Sequence, residues 1–136
     1  MAGVSLAPLE ADFISRLNAE RAAAGLPALA ADGELVSIAR IRSSDMASRG
    51  YFSHTSPEGQ TAFTLIDQRG ISYSWAGENL ARNNYPLAET VAVAIRDLMA
   101  SPPHRDNILS PNYTRLGVGY ADDGSGMRYF TMVFVG

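Results

Sequence analysis

"RLGVGYADDGSGMRYFTMVFVG" (115–136) is the stretch that decides the fold. Leu116, Val118 and Tyr120 alternate with small residues, which is the two-residue period of a strand. "DDGSG" (122–126) supplies the residues of a tight turn. "MRYFTMVFVG" then runs apolar on both faces, as a central, covered strand does. The pair reads as an antiparallel hairpin, and "SYSWAGENLA" (72–81) as a third strand.

The rest of the chain is helical. "LEADFISRLNAERAAAG" places Leu9, Phe13 and Leu17 four apart, with Ile14 alongside, and Gly25 ends that helix. Leu26 and Leu29 follow in "LPAL", expected to tuck beneath the next helix. Asp32 is suited to cap "GELVSIARIRSSDMASRG", where Leu35, Ile38, Ala39 and Met46 face one way and Gly50 stops the run. "GQTAFTLIDQRG" (59–70) reads as a shorter helix with Phe63 and Ile66 inward. Pro86 precedes a further helix carrying Leu87, Val91, Ala94, Ile95 and Leu98 on one stripe, ended by Pro102 and Pro103. This order gives an α+β fold: helices packed on a small, mainly antiparallel three-stranded sheet. A tail (1–8) precedes one domain (9–136).

Composition supports a single globular unit. The chain has 136 residues, 46% apolar and 18% charged, with a net charge of −3. All eleven basic residues are arginine and they form no run, so the basic cluster of a nucleic-acid binder is missing. No apolar run reaches the ~18 residues that span a bilayer. The absence of cysteine is compatible with a reducing cytoplasm or with an exported protein that folds without disulfides. "MAGVSLAPLE" lacks the basic and apolar regions of a signal peptide.

Three residues draw attention as chemistry. His54 follows Tyr51–Phe52 in a loop, His104 follows a helix end, and Glu78 interrupts an otherwise apolar strand. No HExxH or CxxC spacing joins them. As a class, lone loop histidines are more often structural or simply exposed than functional. A carboxylate in an apolar strand is costly unless something pairs with it. Two readings are open: Glu78 borders a cleft, or Arg105 or backbone groups satisfy it. No GxSxG elbow marks a nucleophile.

"LNAERAAAGLPAL", "YFSHTSPEG", "GENLA", "SPPHRDNILSPNYTRLGVGYA" and "YFTMVFVG", in this order, resemble the CAP superfamily (cysteine-rich secretory proteins, antigen 5 and plant pathogenesis-related proteins), in its cysteine-free bacterial branch. The resemblance runs from about Leu9 to Gly136. It implies an α-β-α sandwich with the motif histidines and glutamate, here His54, His104 and Glu78, meeting in a central cleft. It further implies a divalent ion, zinc first, held by His54 and His104, with Glu78 orienting a water or a histidine N–H. The Pro-Pro step then ends the helix and turns His104 into the cleft. Ser101, Asn79 and Arg105 join as surrounding residues: Asn79 bonds buried backbone, Arg105 ties the "HRDNIL" loop to an acid, and Asn107 caps its turn. Eukaryotic members carry a second glutamate shortly after a tryptophan; here Leu98 stands at the tryptophan's place and Ser101 near the glutamate's.

The function expected from this resemblance is a secreted, monomeric domain that binds a divalent ion and a small or lipid-like ligand. The alternatives are a metal-dependent hydrolase in which Glu78 activates a metal-bound water, and a non-catalytic wall or spore-associated module. Two histidines are fewer than the three protein ligands usual in zinc hydrolases, which weighs against the enzyme.

Overall fold

The computed structural model describes residues 5–136. Its elements run α1 (Pro8–Ala23), β1 (Ala30–Ala31), α2 (Gly33–Arg49), α3 (Ala62–Gln68), β2 (Ala76–Asn83), α4 (Thr90–Met99), α5 (Pro102–Ile108), β3 (Arg115–Asp122) and β4 (Arg128–Val135). Strand order in the sheet is β1-β3-β4-β2. The β3–β4 hairpin and the β2–β4 pair are antiparallel, whereas β1 pairs with β3 in parallel. The sheet is therefore four-stranded and mixed rather than three-stranded. The extra strand is two alanines long and has no apolar period that a sequence could reveal.

Helices cover both faces of this sheet. Leu116, Val118, Phe130, Met132 and Phe134 share a core with Phe13 and Leu17 of α1 and with Val91, Ala94, Ile95 and Leu98 of α4. Val133 and Val135 face the other way, against Leu35, Ile38 and Ala39 of α2 and Ala62, Leu65 and Ile66 of α3. β4 is buried along nearly its whole length because both its faces are covered, as its continuous apolar run requires. Asp32 caps α2, its side chain accepting from the N–H groups of Glu34 and Leu35, and Gly50 ends that helix at φ 71°.

Some local expectations shift. Of the expected tail, residues 1–4 lie outside those described, and Pro8 already opens α1. Phe63 is exposed, and Leu65 packs inward beside Ile66. A two-turn helix buries Ala62, Leu65 and Ile66 at i, i+3 and i+4, which turns position 63 outward. Leu87 is exposed because residues 87–89 form a turn after Pro86 and α4 starts only at Thr90. β2 begins at Ala76 rather than residue 72, since the N–H groups of Ser74 and Trp75 both donate to Gly136, past the end of β4. Pro102 and Pro103 open α5 instead of only closing α4. Their missing N–H groups fall among the donors a first helical turn leaves unpaired anyway.

Glu10 ties three elements together. Although on the first turn of α1, it is 1% exposed. Its carboxylate accepts from the N–H groups of Ala7 and Tyr120 and from the Arg40 guanidinium of α2. Burial pushes its pKa up, but the Arg40 bonds and the two N–H groups outweigh burial and hold it below the ordinary value. A depressed folded pKa contributes stability above the unfolded value of about 4.3, and that contribution is lost as pH falls through the folded pKa. Glu10→Gln is therefore expected to lose stability at pH 7 and to show a shallower decline than wild type between about pH 5 and pH 3. Urea melts across that range check this, and parallel pH profiles for the two proteins would refute it.

Candidate functional site

β2 lies at the sheet edge, and its alternation divides the site. Glu78 stands opposite Val133 and Leu80 opposite Thr131, on the α2 side, whereas Asn79 stands opposite Met132 on the α4 side. Side chains two apart share a face, so one short strand supplies polar groups to both sides of its own edge.

On the α2 side, the Glu78 side chain is 2% exposed and held by Arg42 and His54. Arg42 Nε donates to Oε2 at 2.9 Å, and Arg42 Nη2 lies 3.3 Å from Oε1. His54 Nδ1 sits 2.8 Å from the same Oε1. Arg42 is equally buried, and its Nη2 also donates to the Ser53 carbonyl at 2.6 Å. One buried guanidinium thus grips the carboxylate and the backbone next to His54. The loop is held further by Tyr51 donating to Asp45 and by Arg49 pairing with both Asp45 and Glu58. The partner of Glu78 is therefore Arg42. Arg105, the cation considered from sequence, is exposed and makes no ion pair among the described residues.

On the other side, His104 is the third residue of α5, and Ser101 occupies the N-cap position. The Ser101 hydroxyl does not cap backbone; it lies 2.8 Å from His104 Nδ1. Asn79 Nδ2 donates to the His104 carbonyl at 3.0 Å and Asn79 Oδ1 accepts from Asn107 at 2.8 Å, which pins α5 to β2. Asn79 thus bonds the α5 backbone rather than backbone around the glutamate, while Asn107 bonds Asn79 and Tyr113. Burial pushes the His104 pKa below its ordinary value, and the nearby His54 pushes it the same way. His54, Glu78 and His104, 50 residues apart along the chain from first to last, are brought to one edge of the sheet.

Each imidazole is anchored through Nδ1, His54 by a carboxylate and His104 by a hydroxyl. Such bonds orient the ring; the carboxylate, an acceptor only, leaves His54 Nε2 with a lone pair, whereas a hydroxyl can donate or accept. Among the described residues, no group of three or more His, Asp or Glu side chains is placed to hold a metal ion. Glu78 faces Arg42 and His54.

Sequence reasoning overlooked Arg42. The signal was present: Leu35, Ile38, Ala39 and Met46 mark the buried stripe of α2, and position 42 falls on that stripe. An arginine there announces a buried cation and therefore an anion to meet it.

The profile of the cysteine-rich secretory protein family, CAP, matches residues 14–134. The Bacillus subtilis (strain 168) protein YkwD is 39% identical over 132 residues, covering 97% of this chain and 49% of YkwD. An extracellular protein of Bacillus anthracis containing an SCP domain superposes with a TM-score of 0.82 at 27% identity, over 98% of this chain and 45% of that one. NaASP2, solved with Zn2+, superposes with a TM-score of 0.69 at 12% identity, over 97% of this chain and 83% of that one, which is a likeness of fold alone. The chain spans about half the length of YkwD and somewhat less of the Bacillus anthracis protein. No helix among the described residues is long and apolar enough to cross a membrane.

Proposed function

The chain belongs to the CAP (cysteine-rich secretory protein) family, and from that premise we propose that it is an exported binding domain whose cleft takes a divalent ion, zinc, between His54 and His104. The observation that carries this reading is the anchoring of both imidazoles through Nδ1, to Glu78 and to Ser101. The Glu78 carboxylate can only accept, so His54 donates from Nδ1 and keeps a lone pair on Nε2; the Ser101 hydroxyl, accepting from His104 Nδ1, would do the same for His104. Neutral imidazole suits zinc, and two protein ligands leave positions for water or a small ligand. Zinc would supply Lewis acidity there. This chain's residues hold the rings, and Glu78 fixes His54. The extracellular character of the Bacillus anthracis relative and the lack of cysteine support export without disulfides.

The occupancy of Glu78 argues against the hydrolase alternative. Both its oxygens already accept bonds from Arg42, and one also meets His54. A general base must reach the water it activates, and a side chain 2% exposed and gripped by Arg42 is closed to solvent.

Thermal melts with and without zinc test the ion site. At a hundredfold excess over Kd, zinc should add about 2.7 kcal/mol of stability to wild type. His54→Ala/His104→Ala should keep its far-UV circular dichroism, because neither ring is core, and should show no zinc-dependent shift. Equal shifts in both proteins would remove the site.

A further inference from the structure

Beside His104 lies a pocket of about 220 Å³, at the seam between β2 and α4. Its floor is apolar: Ala81 from the strand, and Ala94 and Leu98 from the helix, with Leu80 at the strand edge. Phe52, from the loop that carries His54, also lines it, with Arg82 laid over the ring at 4.6 Å. Ser101 and His104 line it as well.

The polar groups here are not equal. Asp97 is paired with Arg96, and Asn83 is spent on Thr90 and on the Tyr85 N–H. Ser101 and His104 Nδ1 are bonded to each other. Arg82 is different. Its guanidinium stacks on Phe52 and, among the described residues, has neither an ion pair nor a side-chain hydrogen bond. Stacking holds the planar group in place while its N–H edges stay available.

We propose that this pocket is a binding site for a small organic carboxylate with a compact apolar body, its anionic head on Arg82 and its body on the floor formed by Ala81, Ala94 and Leu98. Guanidinium and carboxylate match as two parallel N–H···O bonds. One cation suits one negative charge. A phosphate would bring more charge and more hydration to a site with one cation and an apolar floor, and dehydrating it there is costly. The volume falls below the roughly 300–1,000 Å³ of drug-sized sites, so the body is short. Leu98 and Ser101 shape the cavity. The proposal rests on the reading of this chain as a binding domain but not on the zinc ion.

The test is a set of NMR titrations on chelator-treated, zinc-free protein with benzoate, its neutral twin benzamide, hexanoate and inorganic phosphate. Benzoate and hexanoate should give saturable shifts at Ala81, Ala94 and Leu98. Benzamide and phosphate should bind at least about tenfold more weakly, the loss of one charge-assisted contact. Arg82→Gln, an exposed change expected to leave the melting temperature alone, should reduce benzoate to the benzamide level. Equal binding of benzoate and benzamide, benzoate binding unchanged in Arg82→Gln, shifts confined to other surfaces, no saturable binding, or binding that appears only after zinc is added would each overturn the proposal. The zinc melts of the His54/His104 variant read the ion site separately, so either reading can fail without the other.

Discussion

Gly119→Ala is expected to destabilise the protein by about 3 kcal/mol, at the upper end of what overpacking a core costs. The glycine has an ordinary strand conformation, so backbone freedom is not the issue. Space is. A methyl group at Gly119 would fall on the α2 backbone at Ala39 and Arg40, and one at Gly117 on Leu35 and Val36. Backbone atoms inside a helix cannot swing aside as a side-chain tip can, so the whole helix must lift from β3. Lifting it would also break the bonds that Ser43 makes beneath α2, to the Gly119 carbonyl at 2.9 Å and to the Thr131 hydroxyl at 2.8 Å. Both hydroxyls are buried, so they would be left without partners. Two-state urea unfolding measures the effect. A loss under about 1 kcal/mol would mean that α2 shifts freely and that the close approach is not a determinant of the fold.

Arg42→Ala is expected to cost more, about 3–5 kcal/mol, because it leaves the Glu78 carboxylate buried without its cation. The intact pair need not be strongly stabilising, since two buried charges repay little more than their desolvation. Losing one partner is what costs. Adding Glu78→Gln to Arg42→Ala should therefore recover about 1 kcal/mol or more, as a neutral amide is cheaper to bury than a lone carboxylate. A double variant no more stable than Arg42→Ala alone would show that the carboxylate is not the source of the loss. The same substitution also removes the grip on the Ser53 carbonyl and disturbs the group that orients His54. The zinc-dependent shift in melting temperature should shrink in Arg42→Ala, measured on protein that remains folded at low temperature.

These two positions show how legible the chain was. The glycines of "RLGVGYA" sit in a strand pattern where an isolated glycine hints at a close backbone approach, but which element approaches is not written locally. Arg42 sits on a stripe whose other members were read correctly as buried. Reading it as well would have announced a buried ion pair, yet its partner lies 36 residues away on another element. The Pro-Pro step was legible as a helix boundary. That it also begins α5, and so places Ser101 three residues before His104 on one short helix, depended on the chain continuing helical after it.

By itself the sequence determined the elements whose signals are local. These are the apolar stripes of α1, α2 and α4, the Asp32 and Gly50 boundaries of α2, and the hairpin with its doubly covered second strand. Periodicity and capping act over one or two turns, so neighbouring residues suffice to define them. It also singled out His54, Glu78 and His104, through motifs in family order. Only the tertiary structure decided the fourth strand, the outward turn of Phe63, the pairing of Glu78 with Arg42 rather than Arg105, and the pocket at the β2–α4 seam. Each of these depends on contacts between segments distant along the chain. Burial then fixes which charges meet, because a charge removed from water must find a partner wherever the fold brings one.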